Sequence, residues 1–426
     1  MTYDLVLVLA LICHQLNTVL RDGTESLRHG FAPVLGWRPP AVLAMPLQIL
    51  ALPACALIYW LLPVPYGWFA VVLLAAWISV QNWRLANHVW LAFVALVLLQ
   101  LPAGRGSVSP LLLGAMYASA GAFKLNGQFL RSEESYGRTM IRLYAGYLRI
   151  RPPQILLRAA PVAVAVVELG LGAGLLLNLP VQPLFVVAVG LHFVFGISGN
   201  FPFSLVAVVL WALQMDPAGR LRTPSAAGLA ATMAVFVAGL LLTTRSVYRK
   251  RRVGALAAGT FAGLYALTVY SAAIASGHGS PRPIDWFTPL AVVITAAAVL
   301  NLGSVVLGYR SEAAFAMFSN IQPFGPAKPF GLTPRWRARY YTLSLPEAFP
   351  AALLDRIPAT LLYRSTGGRN FVYEPFAYQL ERIARDSRVS FEPRQVLGPP
   401  RTGLPRPGPL LFPPLLPNDL SKAAMR

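Results

Sequence analysis

Of the 36 basic side chains in this 426-residue chain only four are Lys. One of them, Lys124, ends an apolar run in the phrase Ala120-Gly121-Ala122-Phe123-Lys124-Leu125-Asn126. A guanidinium keeps its proton in essentially any protein site, whereas an amine withdrawn from water can give its proton up and act as a base. Lys in place of the otherwise favoured Arg therefore points to proton chemistry. The competing reading is a stem lying along apolar surface with its ammonium among headgroups. Further polar side chains sit in apolar surroundings. Glu168, in Val166-Val167-Glu168-Leu169-Gly170, is the one acid of the eight before residue 310 that lies well inside an apolar run. Such a group is costly unless paired, so it marks a face turned inward, either toward a cavity or toward another helix that it bonds. His88, which follows Asn87, and His192, in Gly190-Leu191-His192-Phe193-Val194, each carry an imidazole able to donate, accept or shuttle a proton near neutral pH. Read singly, each is more often a satisfied interior histidine.

The elements that must position these residues are apolar runs of about twenty residues, in a chain that is 56% hydrophobic and 12% charged. The expectation is an all-α, polytopic integral membrane helical bundle of about nine to eleven transmembrane helices. The candidate spans lie near residues 4–20, 41–62, 67–81, 86–101, 108–125, 156–178, 182–198, 201–214, 225–244, 253–276 and 287–309. The third and eighth are short enough to be re-entrant. Residues 1–309 form the bundle, residues 310–392 a cytoplasmic or interfacial tail with an amphipathic helix near 376–383, and residues 393–426 a Pro-rich, disordered end. The tail makes a small basic extension. Between the fifth and sixth spans, residues 130–155 mix aromatic, apolar and basic side chains at helical spacing, which predicts a segment along the interface. The start, Met1-Thr2-Tyr3-Asp4, lacks a basic n-region and reads as a retained helix.

Charge placement orients the bundle. With eleven crossings, the connections at 21–40, 82–85, 126–155 and 245–252 share a face with the tail, and these carry most of the Arg, including the run Arg249-Lys250-Arg251-Arg252. The opposite face holds Arg105, Arg220, Arg222 and Arg282. The positive-inside rule then places the N-terminus outside and the tail in the cytoplasm. The net charge of +20 is accounted for by topology and anionic headgroups, with the lipid bilayer as partner and no nucleic acid. Cys13 and Cys55 form neither a CxxC pair nor a disulfide framework, and no metal site is expected. No HExxH, phosphate loop or GxSxG elbow occurs, and the alternating Gly170, Gly172 and Gly174 read as close helix packing.

In order and surroundings, the polar stations resemble the vitamin K-dependent gamma-carboxylase superfamily, including the bacterial horizontally transferred transmembrane domain proteins. The phrase Ala120 to Leu130 is similar to a carboxylase segment built on Ala-Gly, a Lys-Lys-Leu-Asp core and a following Trp. Asn82-Trp83 and Asn87-His88 resemble a Trp-Asn-Asn-His stretch, and His192 before Ile197, Gly199 and Phe201 to Phe203 resembles a His-containing helix. The resemblance covers about residues 40–215. It implies that Lys124 removes a proton from a vitamin K-type, menaquinol-like hydroquinone, that O2 then adds, and that the resulting strong base allows CO2 to be captured on a Glu of a peptide substrate. It implies a helper role for His88 and places His192, Glu168, Asn87, Asn126 and Phe129 around the cofactor, in a bacterial inner membrane. Phe123, Asn126 and Phe129 stand where the family has Lys, Asp and Trp, and the large C-terminal domain of animal carboxylases has no counterpart. These departures favour quinol chemistry over peptide carboxylation. A non-enzymatic lipid- or quinone-binding protein, or a scaffold, is the alternative. A transporter ranks last, because no internal repeat is evident.

Overall fold

The computed structural model describes residues 2–22, 41–62, 66–80, 87–101, 104–133, 135–196, 200–216, 221–222, 224–244, 252–275, 284–286, 288–306, 340–343, 370–373 and 393–395. Within them the chain forms α1 (Tyr3–Asp22), α2 (Ala41–Leu61), α3 (Gly67–Ser79), α4 (Asn87–Leu99), α5 (Gly104–Lys124), α6 (Gly127–Arg131) and α7 (Tyr136–Leu148). It continues with α8 (Gln154–Leu176), α9 (Val181–Phe195), α10 (Phe201–Met215), α11 (Ala226–Thr244), α12 (Arg252–Ala275) and α13 (Pro289–Val306). Each of the eleven apolar windows contains a helix among the described residues, and α6 and α7 occupy the segment between the fifth and sixth. Two helical stretches, Val42–Leu61 and Gln154–Leu176, are long and apolar enough to cross a bilayer, and several shorter apolar helices accompany them.

The bundle is built around α10. Every residue from Pro202 to Met215 is buried, as expected of a helix that is apolar on all sides. It is enclosed by α1, α4, α5, α9 and α12. The outer helices carry large apolar side chains on their free faces, including Leu43, Leu50 and Trp60 on α2, Ile155 and Val166 on α8, and Val293 and Leu300 on α13.

The seam that matters most joins α5 to α8. A Cβ on Gly172 would lie 2.5 Å from the Ala118 backbone nitrogen, and one on Gly121 would lie 2.8 Å from the Leu169 nitrogen. The helices therefore touch backbone to backbone, which only small residues allow. Gly114 lies against Leu176, Ala118 against Gly172 and Gly121 against Leu169, so the two helices run antiparallel. In this register α5 stops beside Glu168, while α8 continues from Val167 back to Gln154, ~21 Å at 1.5 Å per residue. Helices α6 and α7 cover that extension. Gly137 abuts Pro161, and Val164 packs on Phe129, Tyr136 and Met140. The segment predicted to run along an interface thus packs on α8, with Tyr144 donating to the Val194 carbonyl of α9.

The tail and the first residues of the Pro-rich end contribute a three-stranded antiparallel sheet where the sequence predicts no strand. β1 (Tyr340–Leu343) lies between β2 (Asn370–Tyr373) and β3 (Pro393–Gln395), with Tyr340 opposite Tyr373 and Tyr341 opposite Gln395. The all-helical reading holds for the bundle, and the tail departs from it. The helix expected near 376–383 lies outside the described residues.

Candidate functional site

Lys124 is the last residue of α5 and is only 2% exposed. Its amine is not carried out along the surface. Nζ lies 2.6 Å from Oε2 of Glu168, itself buried, and 3.4 Å from the Ala120 carbonyl one turn earlier. The Gly121–Leu169 contact sets this pairing, because it fixes the residues next to Glu168 against the turn that carries Lys124. A buried ion pair offsets the cost of dehydrating its two charges only when geometry and hydrogen bonding are good. Here the carboxylate, the Ala120 carbonyl and the carbonyl end of α5 all favour positive charge at one point. Phe129 closes the site, fully buried, with its ring centroid 5.7 Å from Nζ.

Asn126 builds the corner between α5 and α6. Its Nδ2 donates to the Phe123 carbonyl at 2.7 Å, and its Oδ1 accepts from the Phe129 amide at 2.9 Å. One side chain thus satisfies the open end of each helix. It also holds Phe129 beside the amine. An Asp carboxylate could accept from the amide but could not donate to the carbonyl.

Two turns before Lys124, on the same face of α5, lies a second station that the sequence reading missed. The Tyr117 hydroxyl accepts from Trp211 Nε1 of α10 at 2.9 Å and is hydrogen-bonded to His192 Nε2 of α9. The indole N–H can only donate. When the Tyr117 proton goes to Nε2, neutral His192 carries its own proton on Nδ1. That atom is buried with no partner among the described residues, as is the hydroxyl of Ser204. Buried polar atoms are rarely left unmet, and each needs an explanation.

His88 belongs to a third station. Its Nε2 lies 2.8 Å from Nδ1 of His14 on α1, with the rings edge to face. Nearby on α1, Gln15 accepts from Trp77 Nε1 at 3.1 Å and donates to the Gln48 carbonyl, while Gln48 donates to the Val80 carbonyl at 3.0 Å. This network ties α1 to α2, α3 and α4. Asn87 opens α4, and its side chain lies outside the described residues. The structure thus unites Lys124 with Glu168, Asn126 and Phe129, links His192 to the same helix through Tyr117, and gives His88 a partner on α1. Among the described residues no group of three or more His, Cys, Asp or Glu is arranged to hold a metal ion.

Outside the bundle core, exposed Glu133 follows α6 and clasps α7. Its carboxylate accepts from Arg142 at 2.6 Å and from Arg138, and its carbonyl accepts from Arg142 at 2.8 Å. The Arg142 hydrogen bond, opposed by partial desolvation and reinforced by Arg138, holds this carboxyl below the usual range.

No protein-family model, curated protein or solved structure matches the chain.

Proposed function

We propose that the protein is a membrane-embedded enzyme of the gamma-carboxylase-like type, which uses a reduced naphthoquinone and O2, with CO2 as a further reactant, to modify a peptide or other substrate. The observation that carries this reading is a lysine amine deep in an apolar bundle, held at 2.6 Å by the only acid well inside a candidate span. Such a pair is costly to bury, and buried charged groups in apolar surroundings cluster at functional sites. The residues present also fit a quinol. The Lys124–Glu168 pair offers a proton acceptor, Phe129 offers an aromatic wall, and His192 Nδ1, without a partner among the described residues, can bond a ligand oxygen. When bound, the quinol supplies the electrons that activate O2. The protein's own part is to hold the ring, accept one proton and exclude water.

The bilayer belongs to the same proposal. The outer helices, with Leu, Val and Trp on their free faces, form a surface suited to acyl chains rather than water. We place the N-terminus outside and the tail in the cytoplasm of a bacterial inner membrane. Purified protein given a naphthohydroquinone and O2 is expected to consume the quinol and release its epoxide. Lys124→Ala should abolish this while the melting profile shows a folded protein, and full turnover by that variant removes Lys124 from the mechanism. The second reading is a lipid- or quinone-binding protein in which the same pair merely fastens α5 to α8. It predicts ligand binding without turnover, and unchanged ligand affinity in Lys124→Met despite the stability lost with the broken pair.

A further inference from the structure

We infer that the proton acceptor is the Lys124–Glu168 pair acting as one unit, rather than the amine alone. This rests on the reading of Lys124 as a base and adds Glu168 to the acid–base chemistry. The distance of 2.6 Å between two buried groups permits a single proton to be shared along one hydrogen bond. In the ion-paired arrangement the ammonium has no lone pair, so an incoming proton must go to the carboxylate. In the proton-shifted arrangement the amine lone pair is already taken up by the acid proton. Both arrangements accept one proton and end in the same state, an ammonium beside a neutral carboxylic acid. The pair passes from no net charge to one positive charge.

The step is balanced. An O–H bond of the ligand breaks, its electron pair stays on the ligand oxygen, and a new bond to hydrogen forms on the pair. No oxidant or reductant takes part. The carbonyl end of α5 favours the positive charge that results, and the ligand oxyanion formed in the same step carries the opposite charge. The arrangement also explains why the buried base has an acid beside it. A lone neutral amine would need no such partner, whereas a shared proton requires one.

The experiment uses the full-length protein, with 1-naphthol as an unreactive phenolic probe and a naphthohydroquinone as substrate. In wild type, naphthol binding is expected to raise an infrared band of a protonated carboxylic acid that shifts in D2O. Glu168→Gln should lack that band and lose at least about 100-fold in quinol turnover, the range of one positioned proton-transfer group. Glu168→Asp should recover part of both. If Glu168→Gln does not fold, the wild-type band decides: its presence supports the pair and its absence overturns it. A folded Glu168→Gln that turns over within threefold of wild type also overturns the pair while leaving Lys124 as the base. Failure of wild type to turn over any quinol sinks the parent reading instead, and the infrared band still reports whether the pair takes up a proton.

Discussion

Removing either half of the Lys124–Glu168 pair strands the other charge among apolar side chains. Lys124→Met and Glu168→Leu should each lower stability by about 3–5 kcal/mol, whereas the double variant should return close to wild type, because two apolar groups need no dehydration. Denaturant unfolding of the four proteins in detergent, read as a double-mutant cycle, checks this. At the corner, Asn126→Ala should cost about 1 kcal/mol, in the range of a lost helix cap. Asn126→Asp should fall between Ala and wild type, because it keeps the bond from the Phe129 amide and loses the one to the Phe123 carbonyl. Lys124 and Glu168 were legible in the sequence because charge inside an apolar run is conspicuous, and their partnership was not, since 44 positions separate them. Tyr117, Trp211 and His14 escaped notice for the opposite reason. An aromatic side chain in an apolar helix looks like packing until its polar atom is seen to find a partner, although the seven-residue spacing of Tyr117 from Lys124 did place both on one face.

At the scale of elements, the alternating glycines of α8 divide into two kinds. A Cβ on Gly170 meets nothing within 4 Å, whereas one on Gly172 strikes backbone and one on Gly174 meets the Leu184 side chain. Gly170→Ala should therefore be neutral or stabilise by up to about 1 kcal/mol through helix propensity. Gly172→Ala should cost about 1–3 kcal/mol through forced separation of α5 and α8. Thermal unfolding distinguishes them, and equal losses would show that the seam is not where the distances place it. Hydropathy located all eleven apolar helices, since length and composition suffice for that. It could not reveal that α5 ends beside the interior of α8, because composition carries no information about the register of one helix on another.

For the molecule as a whole, the clasp between Glu133 and α7 gives a pH dependence with a definite sign. Its carboxyl is held below the unfolded value of about 4.3. The contribution is therefore present above that value and is lost as pH falls through the lower folded value. Hydrogen exchange over residues 127–148, corrected for intrinsic rate, should show protection falling in that acidic window. Glu133→Gln should remove the dependence. The proposed orientation is checked by single cysteines near each terminus, which should react with a membrane-impermeant thiol reagent on opposite sides of intact cells. The tail sheet was invisible to pattern reading because strands of three or four residues are too short to establish an alternation.

Bare backbone contact along α5 and α8 leaves no slack for sliding or prying those two rods apart. On the proposed reading a quinol would have to reach Lys124 from another quarter, where the short helices α6 and α7 fold over the overhanging half of α8. The Asn126 amide side chain helps hold the corner that joins them to α5, so on that reading its strength should govern how fast a ligand enters and leaves.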